Sequence, residues 1–362
     1  MATFSRKRPR IGAFGRRCPR RNANEQERVV SFEKASAALL WEQHCCLPMS
    51  LTARVTELTR YPVGSYLSVN VGYAPQTTAD TLALLRLFRT DAVADGRFRL
   101  VRTLADIARA DTAIALAFDL EDCGPLGGDL DNVAVFHALG VRSLAATYNH
   151  ANAAGCGCLD TDDTGLTGYG RDLVRALNEV GMFVDGSHCS RRSGLDMAEL
   201  TETPMIYSHS NFAALWPHPR NITDEQAVSC ARTGGVIGIN GVGIFLGRNA
   251  ESERAARVEA MARHIEYGAE LVGIDHIGIG SDFSFDADDF NAEIRANPEN
   301  FSDDYTKYGP LCWVPPEDLL GQGATPGLDE LLAGRGFTPA ERAAVFGGNF
   351  ARAAARVWRD PA

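Results

Sequence analysis

His44, His188 and His209 each stand where an apolar, strand-like run of residues ends, and a fourth such run ends at Ser281-Asp282. Neutral imidazole is a donor that zinc prefers, so three of them at strand tips point to metal chemistry. His44 and Cys46 lie two apart on one extended segment, so their side chains leave the same face and can grip one ion. Plain packing is the competing reading, because Cys is among the most buried residue types. Glu121 ends a strand whose other residues include Ile114-Ala115-Leu116-Ala117-Phe118, where an unpaired carboxylate would be costly. Either it bridges two metal ions or it pairs with an Arg at a barrel rim; Asp119, on the same strand face, competes with it. Asp282 closes Ile277-Gly278-Ile279-Gly280-Ser281-Asp282. Beside a metal-bound water it could take a proton and return it to a leaving amine, or it could simply cap the next turn. Cys156-Gly157-Cys158 also has ligand-like spacing, but with no second pair nearby it reads as incidental thiols, and Trp216 and Tyr169 read as packing.

These residues converge only if their strands do. Short apolar runs alternate with helix-period segments from about Ser31, the pattern of parallel β/α units. Eight strands are expected: Ala38–His44, Leu67–Gly72, Ala113–Glu121, Ser143–Thr147, Met182–His188, Met205–His209, Gly235–Asn240 and His276–Asp282. Amphipathic stretches at Ala79–Thr90, Leu173–Glu179, Glu225–Arg232 and Ala255–Val272 supply helices between them. The strands are apolar almost throughout, as strands covered on both faces are. The expected fold is an α/β (β/α)₈ TIM-type barrel with a binuclear metal site at the C-terminal face of the strands, where such barrels keep their chemistry. The segment Ser284–Leu320, rich in Asp, Asn, Phe and Pro, follows the last strand as a lid or specificity element.

Composition narrows the partners. The formal charge of −10 conceals a basic start: residues 1–24 hold seven Arg and one Lys with no acid, and the remainder carries 28 basic against 46 acidic residues. So acidic a body excludes nucleic acid as a partner. No run approaches the roughly 20 apolar residues of a membrane span. Residues 1–30 are expected to form a basic, disordered tail that lacks the apolar stretch of an export signal, with 31–362 a single barrel domain. Nine Cys in no regular framework point to a reducing compartment and a cytoplasmic location.

At the level of motifs the chain resembles the membrane (renal) dipeptidase family of zinc peptidases, within the amidohydrolase superfamily. The likeness rests on Met182–Ser190, Pro204–Ala213, His218-Pro219-Arg220-Asn221, Gly234–Asn240, Gly273–Phe283 and Gly347-Gly348-Asn349-Phe350, in that order. The resemblance implies a binuclear zinc barrel that cleaves dipeptides, often with a D-residue at the C-terminal position, and a possible homodimer. Carried across by motif, His44 and Cys46 hold one zinc, Glu121 bridges, and His188 with His209 hold the other. Asp282 manages the proton of a bridging hydroxide, and Arg220 receives the free carboxylate of the substrate through its bidentate fork.

Two departures stand out. The family's His-x-Asp is here His44-Cys45-Cys46, a thiolate for a carboxylate. Zinc accepts thiolate at about 2.3 Å, whereas harder ions such as Mn²⁺ are disfavoured. Two zinc ions per chain are expected, with one as the alternative if Cys46 weakens its site. The family's Thr-His is here Thr147-Tyr148-Asn149-His150. Tyr148 or His150 then serves the oxyanion, a contact worth on the order of 3 kcal/mol, or neither does. The expected function is a zinc dipeptidase acting through a metal-bound hydroxide. The alternatives are a metal-dependent amidohydrolase acting on an N-acyl amino acid or similar amide, and a non-catalytic metal-binding relative.

Overall fold

The computed structural model describes residues 40–108, 112–323 and 326–359, so the basic tail, and the Ala38-Leu39 start of the first expected strand, lie outside the described residues. Among the described residues ten strands form: β1 Trp41–Cys46, β2 Tyr66–Asn70, β3 Phe98–Leu100, β4 Ile114–Leu120, β5 Val141–Ala145, β6 Phe183–Asp185, β7 Ile206–Tyr207, β8 Val236–Ile239, β9 Ile277–Ile279 and β10 Phe283–Ser284. Eight of them, β1, β2 and β4 to β9, pair in parallel in chain order, and Glu42 opposite Ile279 closes β9 onto β1. The result is the (β/α)₈ barrel.

Two strands were not anticipated from the sequence. β3 pairs with the first half of β4 (Phe98 opposite Ile114), below the point where β5 takes over that edge (Asp119 opposite Ser143). With three residues and only Phe98 buried, it carries little apolar signal. β10 is the continuation of β9 after Asp282, paired with Cys45 and Cys46.

Side chains fill three layers. At the N-terminal ends of the strands Trp41, Tyr66, Phe183, Ile206 and Val236 pack against Phe350 and Trp358, so the terminal helix Asn349–Val357 closes the barrel floor. Between strands and outer helices lie residues such as Leu67, Val69, Leu85 and Phe88; each fully buried side chain of this size contributes about 1.5–3 kcal/mol. Over the C-terminal ends, Tyr73, Tyr148, Phe245, Phe301, Tyr305 and Trp313 form a separate aromatic roof.

All four expected helical stretches fall within observed helices, Thr78–Asp95, Gly168–Val180, Asp224–Thr233 and Arg254–Val272. Capping boxes start two of them, Thr77 with Asp80 and Thr223 with Gln226, and each satisfies backbone N–H groups that the first turn would leave bare. Several glycines are required by contact rather than by a turn: a Cβ on Gly238 or on Gly280 would overlap the Ser208 carbonyl oxygen. The close approach at Gly280 draws the tips of β7 and β9 together beneath the site.

Candidate metal centre

The strand tips depart from ideal strand geometry where the chemistry begins. His188 and Asp282 are the two side-chain-bearing residues with positive φ among those described, at 63° and 57°. Such backbone is uncommon outside glycine and costs on the order of 1–3 kcal/mol. It turns each residue off its ladder and into the barrel mouth, so β6 ends at Asp185 and β9 at Ile279, earlier than the sequence suggested. Asp185 supports the first of these turns, accepting from Ser187 N at 2.9 Å and Ser208 N at 3.0 Å.

Three imidazoles and three acidic groups then meet. His188 Nε2 is 2.6 Å and His209 Nε2 3.1 Å from Glu121 Oε1, and the two nitrogens are 3.0 Å apart. His44 Nε2 stands 3.7 Å from both Glu121 Oε1 and Asp282 Oδ1, and 3.5 Å from Cys46 Sγ. The His44 and His209 rings stack at 3.9 Å. Donor atoms of His44, Glu121 and His209 lie within 4.8 Å of one another, as do those of His44, Cys46 and Asp282.

Each ring is clamped from behind by a different group. Nδ1 of His44 faces Asp119 Oδ1 at 2.9 Å, Nδ1 of His188 faces Asn149 Oδ1 at 2.8 Å, and Nδ1 of His209 faces Ser208 Oγ at 2.6 Å. Asp119 therefore stands behind His44 rather than competing with Glu121 for the centre; it also accepts from Ser68 Oγ at 2.7 Å. Glu121 lies one residue beyond the end of β4 and reaches further into the mouth. Asn70 Nδ2 donates to its other oxygen at 2.6 Å, and Asn240 Nδ2 donates to Asp282 Oδ2 at 2.9 Å.

Burial sets the proton affinities. It lowers His188 and His209 well below the ordinary imidazole range, helped by the charges of Arg220 and His44. His44 goes the other way: burial pulls it down, but Asp119, Cys46 and Glu121 together raise it. Burial pushes Glu121 up to about 8 and Cys46 up to about 12, and raises Asp282, in each case against the attraction of His44. Two neutral nitrogen donors, a third held by a carboxylate, and three desolvated acids form a set that a divalent cation suits, since its charge would reverse the penalty on each acid.

A pocket of about 380 Å³, counting its mouth, opens over this cluster. Its floor includes Cys46, Glu121, Tyr148, His188 and Asp282, and its walls include Phe245, Phe290, Leu311 and Trp313. The Tyr148 ring stacks on His188 at 4.3 Å. His150 is corrected as an oxyanion candidate: its side chain is 46 % exposed and its Nδ1 is 3.7 Å from Asp160. The chain turns outward after Asn149, whose carbonyl accepts from Leu159 N. Arg220 is buried beside the cluster, with Nη1 on Ser210 Oγ at 3.1 Å, Nη2 on the His209 carbonyl at 3.0 Å, and the guanidinium 5.7 Å from the Phe245 ring. Cys156 and Cys158 do not join the ion-binding groups; their thiols turn to Thr164 and Asn149.

Sequence reasoning missed Asn149, Asn240, Asn70 and Ser208. The available signal was a polar residue directly beside a ligand or at the tip of an apolar strand.

Comparison with known proteins agrees with this geometry. Residues 52–293 match the family model described as membrane dipeptidase, peptidase family M19. The chain belongs to the membrane dipeptidase family. It is thereby placed among the peptide hydrolases. An uncharacterized protein of Klebsiella pneumoniae, from the region 5′ of pqqA, is 36 % identical over 196 residues, 52 % of this chain and 72 % of that protein. Curated dipeptidases matched at 29–34 % identity are longer, and the aligned part spans less than half of each. A Pseudomonas aeruginosa amidohydrolase structure superposes with TM-score 0.76 at 25 % identity, covering 91 % of this chain and 99 % of that one. A Rhodobacter sphaeroides metallo peptidase, solved with a phosphinate mimic of the dipeptide L-Ala-D-Ala, superposes with TM-score 0.63 at 24 % identity, covering 91 % and 90 %. Among its described residues the chain has no helix long and apolar enough to cross a membrane.

Proposed function

We propose that this member of the membrane dipeptidase family is a zinc-dependent dipeptidase, with His188, His209 and Glu121 serving one ion and His44, Cys46, Glu121 and Asp282 the other. The observation that carries the reading is the meeting of His188 and His209 Nε2 on one oxygen of Glu121, each ring fixed through its Nδ1. When bound, the ions supply a Lewis acid for the scissile carbonyl and an acidified water as nucleophile.

The chain's own groups do the rest. Asp282 is held at Oδ2 by Asn240, leaving Oδ1 toward the cluster to take the proton of the attacking water and pass it to the leaving amine. Tyr148, stacked on His188, offers its hydroxyl to the carbonyl oxygen as charge develops there. Arg220 supplies positive potential for the substrate carboxylate. A D-residue at the C-terminal position follows the family pattern, and the phosphinate complex of the Rhodobacter sphaeroides neighbour supports a dipeptide of L-Ala-D-Ala type.

The apolar walls of the pocket, Phe245, Phe290, Leu311 and Trp313, favour a second reading in which the amide is that of an N-acyl amino acid. Elemental analysis together with a panel of L,L- and L,D-dipeptides and acylated amino acids tests both. About two zinc per chain with turnover of dipeptides is expected. Turnover confined to acylated amino acids would transfer the assignment to the second reading, and a metal-free, inactive protein would refute both.

A further inference from the structure

His188 is a ligand candidate in left-handed backbone, so its own main chain does not favour the orientation it adopts. The Asn149 side chain holds it, with Oδ1 facing His188 Nδ1 at 2.8 Å. Cys158 Sγ donates to the same oxygen at 3.5 Å. The other end of that carboxamide points elsewhere: Asn149 Nδ2 donates at 2.9 Å to the backbone carbonyl of Asn300, in the segment that crosses the barrel mouth. The next residue, Phe301, sets its ring edge-on to Tyr148 at 6.2 Å, and Tyr148 stacks on His188. One turn of the roof, Pro298–Asn300 and the residue after it, thus reaches one imidazole by two routes.

The chemistry of a carboxamide makes the first route directional. Its NH₂ end can only donate and its oxygen can only accept. With Nδ2 committed to the Asn300 carbonyl, Oδ1 must face the ring. His188 then carries its hydrogen on Nδ1 and presents the Nε2 lone pair to the site. Released from Asn300, the carboxamide could rotate, and neither the tautomer nor the ring angle of His188 would be fixed. Groups that hold the far nitrogen of a metal-binding histidine typically change metal affinity or activity 10–100-fold when removed.

We propose that the roof turn at Asn300 sets the Asn149 carboxamide, and through it the tautomer and orientation of His188, so that closure over substrate and retention of metal are one coupled event. Asn149 is a positioning residue in this scheme, which rests on the reading of His188 as a metal ligand. By linkage, a substrate mimic that favours the closed roof must tighten metal binding by the factor by which metal tightens the mimic.

Two substitutions separate the bonds. Asn149→Ala removes both; Asn149→Asp keeps an acceptor for His188 but turns a carboxylate toward the Asn300 carbonyl. Co²⁺ titration followed by visible absorption, with and without the phosphinate mimic of L-Ala-D-Ala, reads both effects. Asn149→Ala is expected to weaken Co²⁺ on the order of 10–100-fold and alter its spectrum. Asn149→Asp should bind Co²⁺ within about threefold of the natural protein yet lose most of the tightening, on the order of tenfold, that the mimic produces. Phe301→Ala, outside the ligand set, should lose part of that tightening and covers the case in which the Asn149 variants fail to fold. Natural affinity and spectrum in Asn149→Ala, or undiminished tightening in Asn149→Asp and Phe301→Ala, would overturn the proposal. A natural protein that binds no Co²⁺ at all would instead remove the metal reading beneath it.

Discussion

His188 and His209 are backed by a carboxamide and a hydroxyl, whereas His44 is backed by the Asp119 carboxylate. All three rings are buried, yet the first two are driven toward the neutral form and the third holds its proton strongly. Desolvation alone would lower all three. For His44 alone, the Asp119 carboxylate behind the ring, together with Cys46 and Glu121 in front of it, outweighs burial, and the two sides of the cluster differ accordingly. One is neutral and nitrogen-rich. The other combines a polarised imidazole with a thiol and the Asp282 carboxyl.

The severest break in this comparison comes from the acidic side. Asp282→Asn keeps the size of the side chain and abolishes its capacity to accept a proton, so kcat should fall by roughly 10²–10⁴ with little change in melting temperature. An unimpaired kcat would remove Asp282 from the proton path. Next in size, Asp119→Asn makes the back of His44 resemble that of His188. Metal affinity of that side should drop on the order of 10–100-fold, measured by competition with a chromophoric chelator, and no drop would mean the carboxylate is merely packing. Cys46→Asp makes the acidic side harder. Tolerance of Mn²⁺ relative to Zn²⁺ should rise and the sulfur-to-metal band of the Co²⁺ form should vanish; a band that survives would show that Cys46 never touched the ion.

The smallest effect sharpens the comparison from outside the cluster. His264 is also buried and neutral, lowered by burial to about 3, and its Nδ1 accepts from Phe212 N at 3.1 Å. An unfolded histidine titrates near about 6.5, so the unfolded chain takes up a proton that the folded one resists. Stability is therefore complete above about pH 6.5 and declines as pH falls from there toward 3. His264→Gln should flatten part of that decline in urea midpoints between about pH 6.5 and 5 while leaving catalysis unchanged. An identical acid slope would show that His264 is not one of the groups responsible.

The barrel was legible because its strands are apolar on both faces and separated by helices of clear period. Strand lengths were less so: the expected strand Met205–His209 runs past the end of β7 at Tyr207, because the ladder stops where polar side chains and close glycine contacts begin to steer the backbone. Ligand candidates were visible as polar residues at the ends of such runs, and the family motifs placed Arg220 beside them. Their supports were not. Asn149 serves His188 from 39 residues away, Asp119 serves His44 from 75, and Asn300 reaches Asn149 across 151. Only folding brings such pairs together, and no local periodicity marks them. His150 illustrates the converse error, since a histidine two residues from a site-facing tyrosine is carried outward by one turn of the chain.

The left-handed backbone at His188 and Asp282 also bears on inheritance. Glycine adopts that conformation at no steric cost, so replacing either residue by glycine would relieve strain while erasing chemistry. Descendants freed from the need to hydrolyse anything would have a thermodynamic reason to drift toward glycine at 188 and 282. Histidine and aspartate at those two positions are therefore a better marker of a working lineage than the barrel itself.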